Sequence, residues 1–177
     1  MARQFLKRSF FDRNPVVVAR DLIGKYLVRE IKGIKKFYKI TETESYGDSK
    51  DRASHARHGK TERNTPMFGE PGTIYVYFTY GMHWMLNIVC GKKGCPSAVL
   101  IRGADGFHGP GRVTKSLKID RKLNGKILGK KVGLWVEDWN NRKVKNKLKI
   151  TKTPRVGIDY SGPVWSKKLH RFVLENK

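Results

Sequence analysis

The strongest constraint on the fold is the alternation of apolar and polar residues between positions 25 and 46. Two strand-forming runs, Lys25 to Ile31 and Lys36 to Tyr46, flank a Lys32-Gly33 turn, and this arrangement predicts a β-hairpin. Successive side chains on a strand point to opposite faces, so every second residue of the later run should share one face. That predicted face carries Tyr38, Ile40, Glu42, Glu44 and Tyr46.

The remaining patterns predict further strands and few helices. Asn14-Pro15 is typical of a helix start, and Gly24 of its end. A second hairpin is predicted from Thr73 to Cys90. Shorter elements are a helix at Arg112 to Ile119 and strands at Ala98 to Arg102, Lys131 to Glu137, near Val156, and Arg171 to Glu175. We therefore predict an α+β fold: a single domain over residues 1–177, with a curved, mostly antiparallel sheet, a projecting β-hairpin and a few surrounding helices.

The charge balance indicates a polyanionic partner. Lysine and arginine number 38 against 15 acidic residues, which gives a formal net charge of +23. Self-repulsion of this size opposes compaction, and a nucleic acid would relieve it. The basic residues are spread along the whole chain, which favours a folded basic face over a disordered arm. The alternative is a generally basic surface that serves solubility. No stretch approaches the length of a membrane span, so we expect no membrane association.

The polar segment from Gly47 to Gly72 has no strand pattern, so it is either disordered or functional. It contains His55 and His58, with Glu44, Asp48 and Asp51 nearby, and this spacing alone could suit a divalent metal. However, the segment has no H-E-x-x-H pattern and no cysteine cluster. We therefore expect neither a metal nor another cofactor.

Two tyrosines of the second hairpin are expected to differ in role. Tyr75 is interpreted as a core residue. Tyr80 lies at the hairpin tip beside Gly81, where a core position is hard to arrange. An exposed ring on a rigid tip can wedge into a nucleic acid duplex.

Short motifs spread over nearly the whole chain carry a family resemblance. They are Ile40-Thr41-Glu42-Thr43-Glu44-Ser45-Tyr46, Ser54-His55-Ala56-Arg57, Arg63-Asn64, Met67-Phe68, Pro71-Gly72-Thr73-Ile74-Tyr75-Val76-Tyr77, Tyr80-Gly81-Met82, Asn87, Val99-Leu100-Ile101-Arg102, Gly109-Pro110 and Arg155-Val156-Gly157-Ile158. Together, and in this order, they resemble the alkyladenine (3-methyladenine) DNA glycosylases. Several ordered motifs are far more specific than any single one.

The resemblance implies a role for each matching residue. Glu44 would be the general base that activates water against the sugar C1′, and Arg102 would help to hold that water and carboxylate. Asn87 would exclude normal guanine, and Tyr80 would fill the gap left in the duplex. The flipped base would be sandwiched by Tyr46, His55 and Tyr77.

The resemblance also implies the substrate. The chain would excise alkylated or deaminated purines, of the 3-methyladenine, 7-methylguanine and hypoxanthine class, from double-stranded DNA. We expect a monomer that works without a metal or a lysine–sugar Schiff base. Its compartment would be the one that holds DNA, which is the cytoplasm of a prokaryote or the nucleus of a eukaryote.

The register of the second hairpin determines whether Tyr77 and Asn87 can share the pocket that the resemblance implies. A two-residue Gly81-Met82 turn would put Tyr77 and Asn87 on opposite faces of the sheet. A three-residue loop, Gly81-Met82-His83, would pair Tyr77 with Asn87. Gly81 can take a positive φ in either loop, so composition does not decide. Because the resemblance needs both side chains in one pocket, we predict the longer loop or an equivalent bulge, with both on the Glu44 face.

A second function class stays open at this level. The same basic face and aromatic side chains could belong to a non-catalytic nucleic-acid-binding protein. Such a protein has no need for Glu44 on a strand together with Arg102. Release of hypoxanthine or 3-methyladenine from duplex DNA would separate the two.

Overall fold

The computed structural model describes residues 2–140 and 148–175, whose strands form one antiparallel sheet. The strands follow one path in the order β1-β8-β2-β3-β6-β5-β4, while β10 pairs with β3 and β9, and β7 pairs with β6. Their bounds are β1 Ala2–Phe5, β2 Tyr26–Ile31, β3 Ile34–Tyr46, β4 Ile74–Thr79, β5 His83–Val89, β6 Ala98–Ala104, β7 Phe107–His108, β8 Leu134–Asn140, β9 Ile150–Thr153 and β10 Arg171–Leu174. The predicted α+β class with a curved antiparallel sheet is confirmed.

The helices are short and pack beside the sheet. Asn14 caps α2 as predicted, because its side chain accepts a hydrogen bond from the Val16 N–H at 2.9 Å. The buried side of α2 consists of Val18, Ala19 and Leu22. The α-helices are α1 Arg8–Phe11, α2 Pro15–Leu22, α3 Pro110–Ser116 and α4 Gly162–Trp165. No helix in the described part of the chain has both the length and the apolarity to cross a bilayer.

Strand β3 joins the two halves of the sheet and gives it its curl. Its first half pairs with β2, and its second half lies between β6 and β10. The β3–β6 register is irregular between Ile40 and Thr43. Ile40 packs in the main core, and the Thr43 hydroxyl also points there, donating a hydrogen bond to the Ala19 carbonyl at 2.8 Å. The prediction that Ile40 and Glu44 share one face is therefore wrong, since an irregular register exchanges the faces of a strand.

The second hairpin has a three-residue loop, but not with the predicted bounds. Thr79 pairs with His83, so the loop is Tyr80-Gly81-Met82. Tyr80 (φ 52) and Gly81 (φ 65) both adopt the left-handed conformation that closes it. The true register differs from the predicted one by two residues, and a shift of two leaves every side chain on its face. The predicted shared face of Tyr77 and Asn87 is therefore confirmed.

Two other predicted strands begin elsewhere. The strand predicted at Lys131 to Glu137 is β8, whose start is delayed by a 3₁₀ turn at Lys130–Val132 and by Gly133 in the left-handed conformation. The strand predicted near Val156 is β9, which pairs with β10. Val156 itself follows β9 in a loop, and this loop returns the chain to β3.

Candidate active site

The candidate site is built on a row of paired residues that crosses four strands. Glu44 on β3 is opposite Leu100 on β6, Leu100 is opposite Asn87 on β5, and Asn87 is opposite Tyr75 on β4. Opposed residues in antiparallel strands project to the same side of a sheet. This row therefore brings positions from 44 to 100 of the chain to one face.

A cleft of ≈ 930 Å³ opens on that face. It receives side chains from the sheet, from the 47–72 segment, from the start of α3 and from the loop after β9. Six of the seven predicted site residues line it: Tyr46, His55, Tyr77, Tyr80, Asn87 and Arg102. Lining residues that sequence reasoning did not single out as site residues include Arg63, Met67, His83, Met85, Val156 and Tyr160. The polar 47–72 segment is thus ordered around the cleft.

Glu44 lies directly beneath the cleft and is fully buried. One carboxylate oxygen accepts a hydrogen bond from the Tyr46 hydroxyl and the other from the Val156 N–H, both at 2.8 Å. Burial raises the pKa of Glu44, although Arg102 and these two hydrogen bonds oppose the rise. A carboxylate with one donor on each oxygen still has lone pairs to accept a proton or a water.

Arg102 lies closer to a second carboxylate than to Glu44. Its Nε donates to Glu42 Oε1 at 2.8 Å, and it lies 3.5 Å from Glu44 Oε1. Arg171 donates to the same Glu42 oxygen at 2.6 Å. The sequence placed Glu42 on the strand, but it gave no signal for either arginine contact.

The three aromatic side chains predicted to hold a base surround the cleft. The His55 and Tyr77 rings meet edge to face with centroids 4.6 Å apart. His55 Nδ1 lies 2.9 Å from the Tyr75 hydroxyl, which fixes the ring, and Tyr75 is buried as predicted. The Arg155 guanidinium covers one face of Tyr46 at 4.7 Å from the ring centroid. Flat, oriented rings of this kind suit the stacking of a planar ligand.

Asn87 and Tyr80 occupy contrasting positions. Asn87 is buried, and its amide donates to the Tyr75 carbonyl at 3.3 Å, so its orientation is held by the backbone of β4. Tyr80 is 79% exposed at the hairpin tip, where Met82 is 67% exposed. An apolar tip that projects from a sheet beside a cleft is a feature of a docking element rather than of a core.

A buried ion pair that the sequence did not reveal supports the site from below. Arg155 donates two hydrogen bonds to the Asp51 carboxylate, at 2.6 and 2.9 Å, and one to the Ser45 carbonyl at 2.9 Å. Its side chain is 0% exposed. The only sequence signal was its place in the Arg155-Val156-Gly157-Ile158 motif. The pair ties the end of β3 to the loop that donates to Glu44.

Several of the residues considered as metal ligands are engaged in other contacts. Asp51 is committed to Arg155, and Glu44 to Tyr46 and Val156. The Arg57 Nε donates to His58 at 3.0 Å. Across residues 2–140 and 148–175, no group of three or more potential ligands could hold a metal ion.

His55 offers a direct test of this environment. Burial, with Arg63 and Arg57 nearby, lowers the pKa of His55 from 6.5 to about 4. We expect its imidazole to titrate near pH 4 in an NMR titration, with His55→Gln used to assign the signal. The unfolded chain binds that proton more readily, so stability should fall as the pH drops from about 6.5 towards 4. A midpoint near 6.5 would contradict the packing described.

The chain is similar to one family throughout its length. It matches the sequence profile of the methylpurine-DNA glycosylases over residues 9–107 and 104–177. A protein of Methanocella arvoryzae is 40% identical over 177 residues, covering 89% of this chain and 86% of the relative. One of Anaeromyxobacter sp. (strain Fw109-5) is 40% identical over 178 residues, covering 96% and 89%. A third, of Clostridium botulinum, is 36% identical over 200 residues, covering 97% and 96%. All three carry the provisional name 3-methyladenine DNA glycosylase.

Proposed function

Because the chain belongs to the methylpurine-DNA glycosylase family, we propose that it hydrolyses the N-glycosidic bond of damaged purines in double-stranded DNA, with Glu44 as the general base. The observation that carries this proposal is the buried Glu44 carboxylate, with Arg102 3.5 Å away, beneath a cleft walled by aromatic side chains. Its substrates are alkylated or deaminated purines, of the 3-methyladenine, 7-methylguanine and hypoxanthine class.

The first step of the proposed reaction is extrusion of the damaged base into the cleft. A base inside the stack cannot be attacked, and flipping it out costs a few kcal/mol, least for a base that pairs or stacks poorly. Tyr46, His55 and Tyr77 then stack on the flipped purine, while Tyr80 fills the space that it leaves. Asn87, held by the Tyr75 carbonyl, crowds the exocyclic amine of guanine and rejects it.

The second step is attack of water on the sugar C1′. The water oxygen forms the new bond to C1′, one of its protons passes to Glu44, and the other stays on the new C1′ hydroxyl. The C1′–N bond breaks and its electron pair leaves with the purine. An alkylated, cationic purine departs readily as a neutral base, whereas hypoxanthine departs as its anion and takes up a proton from solvent, as Glu44 later returns its own proton to solvent. The Glu44 carboxylate also stabilises positive charge that develops on the sugar. Water is the only co-reactant, so the proposed reaction uses no cofactor.

A base-release assay tests this function. The chain is incubated with duplexes that contain hypoxanthine or 3-methyladenine, and alkali then cleaves the abasic sites that have formed. Strand cleavage at the lesion position supports the proposal. Tight binding to the duplex without any cleavage would favour the alternative, a non-catalytic nucleic-acid-binding protein.

The basic surface makes a separate prediction about binding. If it contacts about five phosphates, the logarithm of the association constant should fall with log[salt] at a slope of roughly −4 to −5, because bound counterions are released. Fluorescence anisotropy of a labelled lesion duplex at increasing salt measures this slope. A slope near zero would contradict binding dominated by the DNA backbone.

A further inference from the structure

Glu42 competes with Glu44 for the guanidinium of Arg102. The Arg102 Nε lies 2.8 Å from Glu42 Oε1 but 3.5 Å from Glu44 Oε1, so its hydrogen bond goes to Glu42. Both side chains of this contact are largely shielded, at 15% and 12% exposure. A charge-assisted hydrogen bond in such a place is stronger than one in water. The geometry therefore assigns Arg102 to Glu42 first.

Arg171 holds Glu42 from the other side. Its Nε donates to the same Glu42 oxygen at 2.6 Å, and its Nη1 donates to the Thr153 hydroxyl at 3.3 Å. Residues 171–173 of β10 pair with β3 directly beside these carboxylates. A second cation, Arg171, thus holds the Glu42 carboxylate in place on the side away from Arg102.

The contact leaves part of Arg102 available to the cleft. In the described part of the chain, its hydrogen bonds to protein use Nε alone. Arg102 lines the cleft, so its two Nη groups are free to donate to a water, a phosphate or a bound base. A full ion pair with Glu44 would instead consume those donors.

We propose that Glu42 is a positioning residue that holds Arg102 off Glu44, which keeps the Arg102 Nη groups available to the cleft and preserves Glu44 as a base. This inference rests on the proposed function, in which Glu44 accepts the proton of the attacking water. Glu42 itself touches neither water nor sugar in this scheme.

The charges around Glu44 determine in which direction the pH dependence of activity should shift when the Glu42 charge is removed. The charged and titratable groups around it are Glu42 and Tyr46 on its own strand, Arg102 on β6, Tyr77 on β4, Arg171 on β10 and Arg155 in the loop after β9. Removing the Glu42 charge lowers the pKa of Glu44 directly and also frees Arg102 to pair with it, which lowers the pKa again. A base must be deprotonated, so the rise of activity with pH should move to lower pH.

The test measures single-turnover release of hypoxanthine across pH for the full chain and for Glu42→Gln. We expect the rise to move to lower pH and the rate constant on the plateau to fall by roughly tenfold, because the base is weaker and Arg102 is displaced. Glu30→Gln is the matched control, since it removes the same charge from β2 at a carboxylate that pairs only loosely with Lys35, at 3.9 Å. That variant should follow the wild-type profile.

A double-mutant cycle shows whether Glu42 acts through Arg102. In an Arg102→Leu background, Glu42→Gln should no longer lower the rate constant on the plateau, and only the part of the pH shift that comes directly from the lost Glu42 charge should remain. Additive effects of the two substitutions on the plateau rate would overturn the inference. If thermal melts show that Glu42→Gln does not fold, Glu42→Asp replaces it, because it keeps the charge but shortens the reach. The same lower plateau is then expected.

The outcomes separate this inference from the function on which it rests. No release by the wild type, or full release by Glu44→Gln, would overturn the proposed function. An active wild type and an inactive Glu44→Gln, with Glu42→Gln superimposed on the wild type at every pH, would overturn only the role of Glu42. A profile shifted to lower pH, with a lowered plateau that is no longer lowered further by Glu42→Gln in the Arg102→Leu background, supports both.

Discussion

Replacement of Glu44 by glutamine is expected to lower the single-turnover rate of base release by roughly 10²–10⁴-fold, the usual contribution of a positioned general base. Glutamine has nearly the same shape: its amide oxygen can still accept from the Val156 N–H, and its NH₂ group can donate to the Tyr46 hydroxyl oxygen, where the carboxylate now accepts from both groups at 2.8 Å. It cannot take a proton from water. Chemistry should therefore be lost while the fold and the cleft are kept.

Binding and pH dependence separate this result from simple damage to the site. Affinity for lesion duplex should stay close to that of the wild type, because the proposed stacking on Tyr46, His55 and Tyr77 does not need the carboxylate. The residual rate should also lose the rise with pH that follows ionisation of Glu44. Glu30→Gln again serves as the charge control. A Glu44→Gln enzyme with a near-normal rate would rule out Glu44 as the base.

Replacement of Arg155 by methionine is expected to give the largest loss of stability. It would leave the Asp51 carboxylate, which is 2% exposed, without its two hydrogen bonds from the guanidinium. An uncompensated buried charge of this kind costs roughly 3–5 kcal/mol. For a chain of this size, that corresponds to a fall in Tm of roughly 6–20 °C. Thermal and urea unfolding measure it.

A surface pair gives the matched control. Arg20 contacts Asp21 at 3.0 Å with its side chain 51% exposed, so Arg20→Met should cost no more than about 1 kcal/mol. Adding Asp51→Asn to Arg155→Met should recover part of the loss, because the buried charge is then gone. Equal destabilisation by Arg155→Met and Arg20→Met would contradict the importance of the buried pair.

The fall in the free energy of unfolding at acid pH should also depend on the Arg155–Asp51 ion pair. Burial raises the pKa of Asp51, but the hydrogen bonds from Arg155 and from the Gly47 and Ala53 N–H groups outweigh it, and the net pKa is lowered. A carboxyl with a lowered pKa in the folded state adds stability above its unfolded pKa and loses it as the pH falls. Arg155→Met should weaken this acid-side dependence as well as the stability at neutral pH.

The sequence by itself determined the features that depend on near neighbours. Alternation along β3 predicted that Glu44 and Tyr46 project to one side, and their side chains are hydrogen bonded. Asn14-Pro15 predicted the start of α2 because an N-cap is a local contact. The ordered motifs indicated the family, which the comparisons confirm. The roles given to Glu44, Arg102, Tyr46, His55, Tyr77, Asn87 and Tyr80 stay predictions until base release is measured.

Tertiary structure alone decided which charges meet and which faces are shared. Arg102 reaches Glu42 across 60 positions of the chain, Arg171 reaches it across 129, and Arg155 reaches Asp51 across 104. The irregular register between Ile40 and Thr43, which moves Glu44 from the core face to the cleft face, arises where β3 meets β6. Periodicity is set by residues a few positions apart, whereas these contacts depend on strand order and register. Packing between distant segments fixes both.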